Sequence, residues 1–160
     1  MLAPGDRLDL GFELTVVQDG SSRTVRFGEL ITRPTVISVY MRNGTGTCDR
    51  QTDALLRVAP ELGQAGFNLI AVSRDTATSH VRYGARKAIP YLLASDPGDL
   101  FARAAGAIVE KSMYGKKYLG PARCAFVLAP GGNILAGLAK VDAATHDQQL
   151  RELIGSLRRA

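Results

Sequence analysis

Hydrophobic positions along the chain repeat with two periods, one typical of strands and the other of helices. Two short runs, 13–17 and 23–27, have strand composition and flank a turn-forming stretch at 18–22, which predicts an N-terminal hairpin. The run 35–40 is β-branched and largely apolar, as in a strand covered on both faces. Helical spacing of apolar residues follows over about 48–62, and another buried strand over 67–73. This order predicts a right-handed βαβ unit with parallel strands.

The rest of the chain continues the alternation of strands and helices. Thr76 or Thr78 can cap a second helix that runs to about Lys87, and a short strand follows it. The sequence therefore predicts an α/β fold with a central mixed sheet flanked by helices, in a single domain over residues 1–160. The remaining predicted elements are a strand at 91–94, a helix at 99–105, strands at 123–128 and 134–138, and a last helix at 145–158.

Composition and charge narrow the class of protein. Of the 160 residues 46% are hydrophobic and 22% charged, with a mean hydropathy of +0.00, which fits a globular chain that buries its own core. No apolar run approaches the roughly 18 residues of a membrane span, and the first residues lack a secretory signal, so we expect a cytoplasmic protein without membrane contacts. The net charge is +5, but the basic residues are scattered, and we expect no nucleic-acid partner.

The chain contains two cysteines, Cys48 and Cys124, too few for a disulfide scaffold. Cys48 falls where the loop 41–47 meets a predicted helix, with Thr47 available as its cap. Backbone N–H groups at a helix start favour an anion and lower the pKa of a thiol. The alternative is that Cys48 is a small buried hydrophobe. The residues alone leave both interpretations open.

Three stretches carry a family resemblance: Thr45-x-x-Cys48, the run 68–75 (NLIAVSRD) and the run 111–123 (KSMYGKKYLGPAR). An apolar run at 125–128 and a glycine turn follow in the same order. From the Asp19-Gly20 turn onward the chain resembles the bacterioferritin comigratory protein branch of the peroxiredoxins, also called the Q type. The resemblance implies a thioredoxin fold and a thiol-dependent peroxidase that acts on hydrogen peroxide and small organic hydroperoxides.

The resemblance also implies the roles of individual residues. Cys48 is then the peroxidatic thiol, Thr45 the hydroxyl that holds the peroxide, and Arg123 the guanidinium that holds the thiolate and polarises the substrate. Met41 and Thr47 are expected to line the substrate pocket, and neither a metal nor a cofactor is expected. The competing interpretations are a loop hydroxyl for Thr45 and a surface charge for Arg123.

Two positions depart from the family pattern. Met41 stands seven residues before Cys48, where the family motif has a proline, and Asp53 stands five residues after it, where many Q-type members place a resolving cysteine. Cys124 follows Arg123 on a predicted strand, so the two side chains should point to opposite faces. Cys124 is therefore expected to be a packed core residue.

These departures predict a one-cysteine peroxidase that depends on an external thiol such as thioredoxin, glutaredoxin or a low-molecular-weight thiol. We expect a monomer or a weak dimer. The alternative function is a catalytically weak redox sensor or binding protein that uses oxidised Cys48 as a signal. His80 and His146 lack metal-ligand spacing and are expected at the surface.

Overall fold

The computed structural model describes residues 1–159, which form nine strands and four α-helices. The helices are α1 (Gly46–Gln64), α2 (Ala77–Lys87), α3 (Leu100–Ala104) and α4 (His146–Arg159). The strands are β1 (Glu13–Gln18), β2 (Ser21–Arg26), β3 (Thr35–Val39), β4 (Asn68–Ser73), β5 (Leu92–Ser95), β6 (Ile108–Met113), β7 (Lys116–Pro121), β8 (Ala125–Leu128) and β9 (Ile134–Leu138).

Seven strands form one mixed sheet in the order β2-β1-β5-β4-β3-β8-β9. The parallel pairs β3–β4 and β4–β5 occupy its middle, and antiparallel strands flank them. The predicted N-terminal hairpin is confirmed, and Asp19 and Gly20 at its turn both have positive φ, as a two-residue type I′ turn requires. The predicted βαβ unit is also confirmed, because α1 connects the parallel strands β3 and β4.

Hydrophobic clusters cover both faces of this sheet. Along β3 every residue is buried, and successive side chains alternate between the faces. Val36 packs with Leu55 of α1 and Leu150 of α4, whereas Ile37 packs on the other face with Phe101 of α3. The largely apolar run of β3 is thus explained by helices on both sides of the sheet.

The structure differs from the predicted elements at three places. The hairpin of β6 and β7 was not predicted, and it forms a separate two-stranded sheet. Helix α1 begins at Gly46, so Cys48 lies inside its first turn. Strand β8 begins at Ala125, two residues later than predicted.

The prediction that both histidines lie at the surface is wrong. His80 and His146 are each 0% exposed, and both are enclosed because their ring nitrogens find partners inside the fold. His80 bonds to the Ala94 carbonyl and to Asn43, and His146 bonds to Ser38 and Gln149. Sequence spacing detects metal ligands but not histidines whose partners lie on distant strands.

No helix among the described residues is both long enough and apolar enough to cross a bilayer.

Candidate active site

The Cys48 thiol lies in the first turn of α1, buried beneath the loop that leads from β3. Its sulfur accepts a hydrogen bond from the backbone N–H of Arg42 at 3.4 Å. The loop therefore wraps around the sulfur and directs a backbone donor at it. An amide at this position stabilises the thiolate more than the thiol.

Arg123 directs both terminal nitrogens of its guanidinium at the same sulfur. Nη1 and Nη2 each lie 3.4 Å from Cys48 Sγ. Arg123 precedes β8, and its side chain lies on the face that α1 covers. A planar fork of donors directed at one sulfur stabilises negative charge on it.

The residue at the capping position of α1 differs from the predicted one. Thr45, not Thr47, is the N-cap residue of α1, and its side chain makes no capping bond. The Thr45 hydroxyl has a single hydrogen, which it donates to the Arg42 carbonyl at 3.2 Å. Turned to the Cys48 sulfur instead, the same hydrogen lowers the pKa of that thiol. Thr47 is exposed and accepts a bond from Arg50 at 3.4 Å. The prediction that Thr47 caps the helix is therefore wrong, because the helix starts one residue before it.

Met41 lies at the edge of the hydrophobic cluster that contains Cys48. Its thioether sulfur accepts a hydrogen bond from Lys111 Nζ on β6. Burial lowers the pKa of Lys111, and the nearby charges of Arg123 and Arg74 act in the same direction. The β6–β7 hairpin thus brings a further cation to the side of the active-site loop.

Asn43 fixes this loop to the body of the fold. Its backbone N–H donates to Asp75 Oδ2 at 2.9 Å, and its side-chain nitrogen lies 3.1 Å from both Ser79 Oγ and His80 Nδ1. Tyr40 donates a hydrogen bond to the Asn43 side-chain oxygen. These bonds hold the loop in the conformation that presents its N–H groups to Cys48.

Opposing influences act on the pKa of Cys48. Burial is the largest of them and raises the pKa, but hydrogen bonds from Thr45, Arg42 and Arg123 together outweigh it. The net result is a pKa below the ordinary value of a cysteine. Cys124 contrasts with it, because burial raises its pKa to about 12. Of the two thiols, only Cys48 is in an environment that favours the thiolate.

We expect the rate of peroxide reduction to rise with pH through the lowered pKa of Cys48 and then to level off. The thiolate is the nucleophile, so a lowered pKa moves this rise below the ordinary range of about 8.5. Stopped-flow rates and thiolate absorbance between pH 4 and 9 both measure the pKa of Cys48. The pH dependence of alkylation in denatured protein gives the pKa of the same thiol without its folded surroundings. A rise centred at or above the ordinary value would contradict the geometry.

The structure shows what Cys124 does and what Asp53 does at the position where related proteins have a resolving cysteine. Cys124 is 0% exposed and belongs to the core cluster on the sheet face opposite that of Cys48, so the prediction of a packed core residue is confirmed. Asp53 forms an ion pair with Lys87 of α2 at 2.7 Å. The position of the usual resolving cysteine is used here for a contact between helices.

Sequence reasoning missed Gln51, which is 1% exposed and touches the site directly. Its Oε1 accepts a hydrogen bond from Arg123 Nη1 at 2.6 Å. Gln51 stands three residues after Cys48, so helical geometry places both on one face of α1. That spacing is the signal that could have identified it.

Comparisons with known proteins agree with this fold. A model of the AhpC/TSA family matches residues 9–136. Peroxiredoxin Bcp of Xanthomonas campestris pv. campestris is 35% identical over 111 residues, which cover 69% of this chain and 69% of that protein. A solved structure of X. campestris peroxiredoxin Q has a TM-score of 0.81 at 28% identity, over 98% of this chain and 97% of that chain.

A second solved structure, of the bacterioferritin comigratory protein of the same bacterium, has a TM-score of 0.79 at 28% identity. It covers 96% of this chain and 98% of that chain. The chain therefore belongs to the AhpC/TSA family. Within that family it is a peroxiredoxin of the Bcp or Q branch with the thioredoxin fold, as its sequence predicts.

Proposed function

We propose that this chain is a thiol-dependent peroxidase that reduces hydrogen peroxide and small organic hydroperoxides at Cys48. One observation carries the proposal. Three N–H groups, two from the Arg123 guanidinium and one from the Arg42 backbone, converge on the sulfur at 3.4 Å. Donors arranged in this way stabilise a thiolate and the negative charge that develops when an O–O bond breaks.

In the proposed reaction the Cys48 thiolate attacks the nearer oxygen of the peroxide. A sulfur–oxygen bond forms while the O–O bond breaks, and the farther oxygen leaves as hydroxide or alkoxide, which takes a proton from solvent. The sulfur loses two electrons and becomes a sulfenic acid. We assign Arg123, whose two terminal nitrogens lie 3.4 Å from the sulfur, and the Thr45 hydroxyl to hold the two oxygens during this step.

Burial of the site favours small substrates. Cys48 is 1% exposed, so a compact hydroperoxide reaches the sulfur with less displacement of the loop than a bulky one. The X. campestris bacterioferritin comigratory protein has been studied for its alkyl peroxide reduction activity. We propose the same substrate class, limited by size, for this chain.

We further propose a one-cysteine cycle that an external thiol completes. The incoming thiol displaces water from the sulfenic acid and forms a mixed disulfide, and a second thiol releases reduced Cys48. Because Cys48 is buried, this step requires the loop or the first turn of α1 to open. A small thiol needs less opening than thioredoxin or glutaredoxin.

Protein treated with one equivalent of peroxide is expected to carry a sulfenic acid at Cys48 and no bridge to Cys124. The two cysteines belong to clusters on opposite faces of the sheet, and a disulfide does not form across that separation without backbone movement. Mass spectrometry with a sulfenic-acid trap detects the product, and excess peroxide should advance it to sulfinic acid. A dominant Cys48–Cys124 disulfide within one chain is the opposite result and rejects the one-cysteine cycle.

The test of the enzyme assignment is the number of peroxide molecules consumed per protein thiol. With dithiothreitol or thioredoxin and its reductase as the electron source, we expect many turnovers, and denatured protein serves as the control. A single stoichiometric oxidation would favour the alternative, a redox sensor. The reason for testing this alternative is that Met41 and Asp53 stand where the family pattern has a proline and a resolving cysteine.

We also propose that the chain acts as one domain in the cytoplasm, as a monomer or a weak dimer. The core clusters cover both faces of a single sheet, which supports one folding unit. Analytical ultracentrifugation across protein concentrations measures the oligomeric state.

A further inference from the structure

A chain of buried hydrogen bonds connects the active site to the start of the last helix. Arg123 Nη1 donates to Gln51 Oε1 at 2.6 Å, and Gln51 Nε2 lies 2.9 Å from Ser38 Oγ. Ser38 Oγ lies 2.9 Å from His146 Nε2. Ser38 and His146 are 0% exposed and Gln51 is 1% exposed, so water does not compete for these bonds.

Two backbone carbonyls fix the direction of every bond in the chain. Gln51 Nε2 also donates to the Val39 carbonyl at 3.2 Å, and because a carbonyl only accepts, the Gln51 oxygen must face Arg123. At the far end, Gln149 Nε2 donates to the Lys140 carbonyl at 3.3 Å. The Gln149 oxygen must therefore face His146.

These constraints also determine the proton on His146. Gln149 Oε1 only accepts, so His146 Nδ1 carries the ring proton and donates to it at 3.1 Å. In the neutral ring Nε2 is then unprotonated, and it accepts the hydrogen of Ser38 Oγ, which itself accepts from Gln51. Burial lowers the pKa of His146 to about 4, which keeps the ring neutral at physiological pH.

The orientation of the Arg123 guanidinium depends on this series of hydrogen bonds. Among residues 1–159, no carboxylate forms an ion pair with Arg123, and Gln51 is its only side-chain partner apart from the Cys48 sulfur. A neutral amide fixes the guanidinium without cancelling its charge. The full positive charge stays directed at the sulfur.

We propose that His146 is a positioning residue of the active site, acting through Ser38 and Gln51 to orient Arg123 toward the Cys48 sulfur. This role rests on the proposed peroxidase function, but its effect on the Cys48 thiol can be measured without peroxide. It gives α4 a part in the chemistry, although none of its residues touches the sulfur. Ser38 is the link, since alternation along β3 directs it at the face that α1 and α4 cover.

The first test replaces His146 with leucine, which keeps bulk but removes the acceptor, and with glutamine, which restores an acceptor. We expect His146→Leu to raise the pKa of Cys48 and to slow peroxide reduction about fivefold, the equivalent of one buried hydrogen bond. His146→Gln should recover most of that loss. Leu150→Met, a volume-conserving change in the same buried face of α4, is the matched control and should leave both values unchanged.

Alkylation by iodoacetamide distinguishes positioning from general damage. Alkylation needs no hydrogen-bond donor to a leaving oxygen, whereas peroxide reduction does. At a pH where Cys48 is fully ionised, the thiol of His146→Leu should therefore be alkylated at the wild-type rate, while its peroxide reduction stays slow. Equal losses in both reactions, or an unchanged Cys48 pKa, would overturn the proposal. A shifted pKa in a protein that reduces no peroxide would retain the positioning role and reject the peroxidase function.

A double-mutant cycle with Ser38→Ala tests the route. If His146 acts through Ser38, adding His146→Leu to Ser38→Ala causes no further change in the peroxide rate or in the Cys48 pKa. Additive effects would mean that His146 acts by another route, and they would reject the hydrogen-bonded path through Ser38. Should His146→Leu fail to fold by circular dichroism, Ser38→Ala alone decides, because a wild-type Cys48 pKa in that variant excludes the relay.

Discussion

Cys48→Ala is expected to abolish peroxide reduction, a loss of at least about a thousandfold, because the nucleophile itself is removed. The measurement is peroxide consumption under saturating dithiothreitol, with the uncatalysed reaction of the reductant subtracted. The side chain is buried but small, so the fold should persist, and circular dichroism verifies this. Residual activity clearly above about one thousandth of the wild-type rate would mean that another group reacts with the peroxide.

Cys124→Ala is the matched control, because it makes the same change at the other buried thiol. Burial raises the pKa of Cys124 to about 12, and the residue packs on the opposite face of the sheet. We expect its peroxide rate to stay within about twofold of wild type. A large loss in this variant would assign the second thiol a role in turnover.

Arg123→Gln is expected to slow peroxide reduction at least about a hundredfold. The substitution removes two charged donors from the Cys48 sulfur, and hydrogen bonds to charged groups contribute about 1.5–3 kcal/mol each. The pKa of Cys48 should also rise, because one of the influences that lower it is lost. Rates at a pH above that raised pKa separate the loss of thiolate from the loss of transition-state stabilisation.

Arg103→Gln, the same substitution at an exposed residue of α3, is the control for Arg123→Gln and should leave the rate unchanged. Thr45→Val makes a companion test of the hydroxyl and should slow the reaction at least about tenfold. A wild-type rate in Arg123→Gln or in Thr45→Val would reject the role assigned to that residue.

Much of the fold could be predicted because its central strands are buried on both faces. Short, largely apolar runs such as β3 differ from helices in length and composition, and the order of elements then allows few topologies. The β6–β7 hairpin escaped prediction because much of its apolar surface is exposed, including Val109, Met113 and Leu119, so no buried face imposes a period. Its turn places Tyr114 at positive φ, which is uncommon for a residue other than glycine, asparagine or aspartate.

The sequence by itself determined the family, through the three stretches that carry the resemblance, and the side of the sheet on which Cys124 lies, through strand alternation. It predicted Cys48 as the reactive thiol only through that resemblance, because its position at a helix start also fits a small buried hydrophobe. The tertiary structure alone brought Arg123 to Cys48, placed Lys111 against Met41 and buried His146 against Ser38. These contacts join residues 70 or more positions apart. The physical reason is that tertiary packing selects such partners, here the packing of α1 and α4 on one sheet face and of the β6–β7 hairpin beside Met41. Periodicity records only which face a side chain occupies.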